Sequence, residues 1–278
     1  MPLIITATDF SDIAGKAVDY ACRLATDMGI GVTVLHSFVI PVNFSDATMP
    51  VLPLDEIQKI AEEKMAEVIS GLKDTYPVTE IKGKILYGDI LDCLQEYTDK
   101  EEQPWAIVLG NDSGTDSDMW LGSTLLTAMR SLDYPVIAVP PVASYNPVHK
   151  ICFACDYNDN NTVATAQAIA DMVLPAGAEL HVLHVGDSKE INNEYVSTWQ
   201  QHLEPLSPQY HFTDNRETDK AIDKFAEDNS MDWLMIAPHH HSFLQGLFQH
   251  DHTKALARIT HLPIVAVHGR AENRREKE

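Results

Sequence analysis

The sequence predicts an α/β protein of two tandem doubly wound domains, each on a five-stranded parallel sheet, packed as an internal pseudo-dimer. Three observations point there. Trp105-Ala106-Ile107-Val108-Leu109 returns as Trp233-Leu234-Met235-Ile236-Ala237, and Pro135-Val136-Ile137-Ala138-Val139 as Pro263-Ile264-Val265-Ala266-Val267, both at an offset of 128 residues. The amino-terminal ends repeat in the same order, Ile4 to Asp9 as Ile151 to Asp156 and Val34-Leu35-His36 as Val182-Leu183-His184. Within each repeat, short β-branched runs alternate with longer segments of helical period, which is the pattern of βαβ units on a parallel sheet.

In the first repeat, strands are expected near 3–8, 31–38, 81–87, 105–110 and 135–139. Ser11 or Asp12 caps a helix whose apolar residues Ala14, Ala17, Val18, Ala21, Cys22 and Ala25 recur at three- and four-residue steps, and Gly29 ends it. Further helices fit 54–72 on Ile57, Ile60, Ala61, Met65, Val68 and Ile69, then 90–99 on Ile90, Leu91, Leu94 and Tyr97, then 123–132 on Leu125, Leu126 and Met129. The second repeat places strands near 150–156, 178–185, 209–213, 233–237 and 263–268, the third weakly patterned, with four helices between them.

Pro140 to Pro147 interrupts both periodicities and reads as a linker. Domains are therefore expected over 1–143 and 148–270, with a charged tail over 271–278. The apolar last strands at 135–139 and 263–267 would invite aggregation if left bare, so they are expected to pair with each other. A homodimer is also allowed.

Charge narrows the partners. The net charge is −21, divided as −13 over residues 1–147 (nine basic, 22 acidic) and −8 over 148–278 (11 basic, 19 acidic). Such a surface repels a phosphate backbone or an anionic membrane, and the one basic run, Arg274-Arg275-Lys277, is diluted by Glu272, Glu276 and Glu278. Nucleic acid and membrane are thus set aside as partners. No signal-type start and no apolar run near the ~20 residues of a membrane span occur, so a cytoplasmic protein is expected. Cys152 and Cys155 lie inside an apolar strand, not at a helix start where a redox pair would sit.

In an open parallel sheet, ligands bind beyond the carboxyl ends of the strands where strand order reverses. With first and fourth strands adjacent at that reversal, the crevice of the first repeat is lined by Thr8-Asp9-Phe10-Ser11 and Gly110-Asn111-Asp112-Ser113-Gly114. The helix opening at Leu121-Gly122-Ser123-Thr124 offers unpaired N–H groups and two hydroxyls at a positive helix end, which suits phosphate. The same residues also serve as caps and turns in proteins that bind nothing.

The Thr8-Asp9-Phe10-Ser11 start, the Val-Leu-His end of the second strand, the glycine loop, the Leu121-Gly122-Ser123 opening and the Pro-Val-Ile-Ala-Val last strand together resemble the universal stress proteins, here in tandem form. The resemblance covers nearly the whole chain and implies the adenine-nucleotide-binding, HUP-like version of the fold. Members that bind ATP use an aspartate after the first strand near ribose and adenine, backbone at the end of the second strand for adenine, and a loop G-x-x-G-x9-G-[ST] for ribose and phosphates. Carried over, this implies Asp9, Val39, Gly110, Gly114, Gly122 and Ser123, with Thr124 beside them. Ser113 stands where the second glycine belongs, Gly114 is one place late, and Gly110 to Gly122 is one residue short of the family spacing. Asp112, Asp116 and Asp118 crowd the loop, so a triphosphate there calls for a divalent cation such as Mg²⁺.

The second repeat departs further. At the 128-residue offset Pro238 replaces Gly110, His250 replaces Gly122 and Asp251 replaces Ser123, so its phosphate loop is degenerate. It carries a histidine cluster instead, from which His239, His241, His250 and His252 are candidate metal ligands, the alternative being polar loop histidines. No nucleophile–base–orienter arrangement is written in the chain, and no catalytic residue is assigned. Two readings stay open: a stress-response or signalling protein binding ATP or a related adenine nucleotide in its first half, and a non-catalytic module that meets an unidentified protein partner.

Overall fold

The computed structural model describes residues 2–39, 53–111, 123–155, 157, 162–186, 193–215, 218–237 and 262–268. Two compact units make up the chain, residues 1–110 and 111–278.

The first unit holds strands β1 (Leu3–Ala7), β2 (Gly31–Phe38), β3 (Ile81–Tyr87) and β4 (Ala106–Gly110), with helices α1 (Asp12–Met28), α2 (Leu54–Thr75) and α3 (Ile90–Lys100). The strand order is β3-β2-β1-β4 and every pairing is parallel. Of the two candidate caps for α1, Ser11 is the one used, its Oγ accepting from Ala14 N at 3.2 Å. The three- and four-residue spacing buries Ala17, Val18, Ala21, Cys22 and Ala25 as expected, and Tyr20 and Leu24 join them. Helix α2 runs to Thr75, beyond the expected end at 72, with Lys73 in its last turn beside the helix carbonyls.

Gly29 ends α1 in the left-handed region, φ 66°, donating its N–H to the Thr26 carbonyl at 3.2 Å while Ile30 N reaches Ala25 O at 3.0 Å. A Cβ there would touch nothing within 4 Å, so only backbone strain opposes a side chain. Gly29→Ala is expected to lower unfolding free energy by about 1 kcal/mol, measured by urea denaturation. An unchanged midpoint would show that the cap carries no such strain.

The second unit begins with α4 (Ser123–Ser131) and β5 (Val136–Val139), then β6 (Lys150–Ala154), α5 (Thr162–Ala176), β7 (Glu179–Val185), α6 (Asn193–Leu203), a 3₁₀ turn (Glu204–Leu206), β8 (Gln209–Thr213), α7 (Thr218–Asp228), β9 (Trp233–Ile236) and β10 (Ile264–Ala266). Its order is β5-β10-β9-β6-β7-β8. The β9–β10, β6–β9, β6–β7 and β7–β8 pairings are parallel, while β5 and β10, the last strands of the two repeats, run antiparallel. That pairing draws β5 into the same compact unit as the second repeat, so division by contact differs from division by repeat.

Strand β6 stops at Ala154, short of the expected 156, although Cys155 N still reaches Leu183 O at 2.9 Å. The weakly patterned β8 forms nonetheless, as an outer strand paired to β7, with none of its five residues fully buried. Among the described residues the second repeat has three α-helices; the expected fourth falls outside them. No described helix is long and apolar enough to cross a membrane. In both repeats the first strand lies between the second and the fourth, so the order reverses at β1 and at β6, as expected.

Candidate functional site

At the carboxyl end of β1 the chain turns through three successive side-chain-to-backbone bonds. Phe10 N donates to Thr8 Oγ1 at 2.9 Å, Ser11 N to Asp9 Oδ1 at 2.8 Å, and Ala14 N to Ser11 Oγ. Phe10 pivots this turn at φ 66°, a left-handed conformation that costs a β-carbon residue about 1–2 kcal/mol. His36 near the end of β2 holds it in place. Its Nδ1 lies 2.7 Å from Thr8 O, and because a carbonyl only accepts, that nitrogen carries the proton. The His36 and Phe10 rings lie 4.3 Å apart, and the Lys64 ammonium of α2 stands 5.6 Å over the Phe10 ring.

Burial alone would raise the Asp9 carboxyl, but the side chain and backbone of Ser11, with His36 adding positive charge, outweigh it and hold the group below its ordinary value. Asp9 is therefore an ionised, acceptor-only group. It suits a ligand's hydroxyl or amino donors and not its phosphates. His36→Leu removes the donor from Thr8 O and the ring beside Phe10, and should cost about 1–2 kcal/mol in chemical denaturation. Wild-type stability in this variant would mean the turn holds itself.

Parallel pairing of β2, β1 and β4 brings Val39, Asp9 and Gly110 to one edge of the first unit's sheet. Val39, just past β2, is 61% exposed. Gly110 has a second reason to be glycine: a Cβ would lie 3.1 Å from the Ile13 carbonyl oxygen, so its absence lets α1 approach β4. In the second unit, Ser123 and Thr124 open α4 with exposed side chains, as expected of a helix start facing solvent. Gly114, Gly122, the three loop aspartates, Asp156 and His239, His241, His250 and His252 fall outside the described residues.

Asn111 was expected to line the crevice, with no role of its own. It is fully buried, and neither atom of its side-chain amide has a hydrogen-bond partner among the described residues. Phe10 was expected to line the crevice and His36 to end the second strand; that they brace the Asp9 turn depends on a positive φ that no spacing reveals.

The second repeat copies the frame. His184 Nδ1 lies 3.0 Å from Cys155 O, just as His36 meets Thr8 O. Tyr157, however, at the place of Phe10, is fully buried, its ring 5.2 Å from His184 and stacked at 5.7 Å on Phe212. Where Phe10 is half-buried, Tyr157 fills the space. Cys152 and Cys155 are buried and form no disulfide, and burial pushes the Cys152 thiol up to about 12, which disfavours its thiolate. Among the described residues no three His, Cys, Asp or Glu side chains are grouped so as to hold a metal ion.

A cavity of about 410 Å³ opens at the opposite, amino-terminal edge of the first sheet, lined by residues such as Thr26, Thr33, Thr79, Glu80, Lys82 and Glu102. Its polar groups bond one another: Thr26 to Thr79 at 2.7 Å, Thr33 to Glu102 at 2.8 Å, Lys82 to Glu80 at 3.1 Å. With these groups bonded to one another, it reads as the open end of the sheet.

Comparison with known proteins places this geometry. A universal stress protein of Synechocystis is 25% identical over 296 aligned positions, covering 95% of this chain and 99% of the relative. Among solved structures, a universal stress protein from Archaeoglobus fulgidus matches with TM-score 0.65 at 16% identity, covering 94% of each chain, and a functionally unknown protein from Pseudomonas aeruginosa with TM-score 0.55 at 13%, covering 97% and 93%. At those identities the likeness speaks for the fold. Half the chain, residues 2–140, matches the family model described as "Universal stress protein family", and the protein belongs to that family.

Proposed function

We propose that the first repeat binds one adenine nucleotide, ATP or a relative, and that the protein serves stress response or signalling through that binding. The observation that carries the reading is the Asp9 turn: an ionised acceptor, held on a strained backbone at the reversal of the sheet. Strain of that kind collects where a ligand is handled. Asp9 would accept from ribose hydroxyls, and backbone at Val39 would face the adenine. The family resemblance gives the phosphates to Gly110, Gly114, Gly122, Ser123 and Thr124, with Mg²⁺ offsetting the neighbouring aspartates. Mass spectrometry of nucleotide released from the natively purified protein tests it, adenine nucleotide near one equivalent being the expected result and none the contrary one.

For the second repeat we propose domain boundaries as the repeats give them, 1–143 and 148–270, and a ligand-free role in contacts with other proteins. Tyr157, filling the space that Phe10 leaves half-open, supports that reading.

A further inference from the structure

We propose that His181 and His211 form an acid-sensitive latch that holds the outer strand β8 against β7 and α7 and lets it open as pH falls through the histidine range. β8 is the end strand of the second unit's order and, among the described residues, pairs only with β7. In that register His181 faces Gln209 and Leu183 faces His211, so the two histidines are diagonal neighbours on one face of the sheet. His181 Nδ1 and His211 Nε2 lie 3.1 Å apart, with ring planes only 13° from parallel and centroids 5.3 Å apart. A face-to-face stack would bring the centroids closer than that. The rings instead meet edge to edge, nearly in one plane, joined by one N–H and one lone pair.

That bond needs at least one neutral imidazole. If both are charged, N–H faces N–H and the bond becomes a repulsion. The surroundings disfavour charge. His181 is 4% exposed, and Phe225 of α7 covers the pair, 4.7 Å from the His211 ring and 6.5 Å from His181. The charged groups acting on His181 are the Lys150 ammonium from β6, which opposes protonation, and the exposed Glu179 carboxylate of β7, 3.7 Å from Nε2, which favours it. On α7, Lys224 is tied to Asp228 at 2.9 Å. Burial first, then Lys150, hold His181 below its ordinary value, while burial and then His181 do the same for His211.

The sign follows. A histidine whose folded value is depressed stays neutral where its unfolded counterpart, near 6.5, takes a proton. The stability it gives is complete above that value and is lost as pH falls below it. The loss falls on β8 and α7, because the latch joins only those to β7. The first repeat has no such device: the same register positions hold Thr33 and Lys84, and Thr33 bonds Glu102 instead.

Hydrogen exchange by mass spectrometry on the full chain, corrected for the intrinsic pH dependence of exchange, tests the latch. Between pH 7.5 and 5.5 the opening constant of amides in 209–228 is expected to rise at least tenfold relative to those in 150–154. The double variant His181→Gln, His211→Gln keeps polar groups that can bond each other and should abolish that difference. Equal pH response in wild type and variant, or no selective opening of β8, would overturn the latch. Should the variant not fold, histidine ring shifts titrated by NMR in the wild type decide: both protonating at or above the value of an exposed histidine would exclude it.

Discussion

Titrated with ATP and Mg²⁺, the full chain is expected to saturate at one nucleotide, with Asp9→Ala weakening binding tenfold to a hundredfold and Asp156→Ala leaving it unchanged. The magnitude is that of a hydrogen bond to a charged group, roughly 1.5–3 kcal/mol. Asp9 is kept ionised by Ser11 and His36 and faces the carboxyl edge of the sheet, so its loss removes an acceptor already organised for a ligand. In the second repeat, Tyr157 fills the matching space and His250 and Asp251 replace the phosphate-side glycine and serine. Gly122→His should weaken binding in the same way, because a side chain there would bar phosphate from backbone N–H groups. Since Asp9 also accepts the Ser11 N–H, Asp9→Asn separates two roles: it keeps the turn and loses the charge. Calorimetry showing two equal sites, or a site lost with Asp156→Ala and kept with Gly122→His, would place the nucleotide in the other repeat. Full binding by Asp9→Asn would reduce the carboxylate to a turn former.

Much of this architecture could be read before any coordinates because parallel sheets write themselves in short β-branched runs, and duplication wrote each run twice. Val34-Leu35-His36 and Val182-Leu183-His184 located the second strands, the first matching 31–38 and the second starting at Glu179, one residue after the expected 178, and the apolar spacing of α1 named most of its buried face. Ends were less legible. β6 and β10 are shorter than their apolar runs, although burial and single backbone bonds to the neighbouring strands continue into Cys155 and Val267. At the site, residue type located Asp9, but three features were silent in the letters. The left-handed Phe10 carries no glycine to announce it, the buried Asn111 amide looks like any loop asparagine, and Gly110 was read for phosphate although the contact it avoids is with Ile13. The histidine pair of β7 and β8 was equally hidden, because its two members stand 30 residues apart and meet only through the strand register.

Residues 1–143 expressed alone are expected to self-associate, and as a symmetric dimer through β5. In the intact chain Val136, Ile137 and Ala138 are at most 2% exposed and pair with Ala266, Val265 and Ile264. Removing the second repeat leaves that edge with unpaired N–H and C=O groups and bare apolar side chains, which is a template for another strand. The form of the replacement follows from the register. At the 128-residue offset Val265 is the equivalent of Ile137, its own partner, while Ile264 and Ala266 are the equivalents of Val136 and Ala138, which they meet crosswise. The observed antiparallel pairing is thus centred on equivalent residues, as a two-fold axis requires. A second copy of β5 can take the place of β10 with Ile137 opposite Ile137. Light scattering during size-exclusion chromatography should give a dimer, and Ile137→Lys, which sets two like charges opposite each other on that axis, should shift it to monomer. A truncated chain that stays monomeric at high concentration, or a dimer indifferent to Ile137→Lys, would show that β5 depends on the second repeat for something other than its open edge.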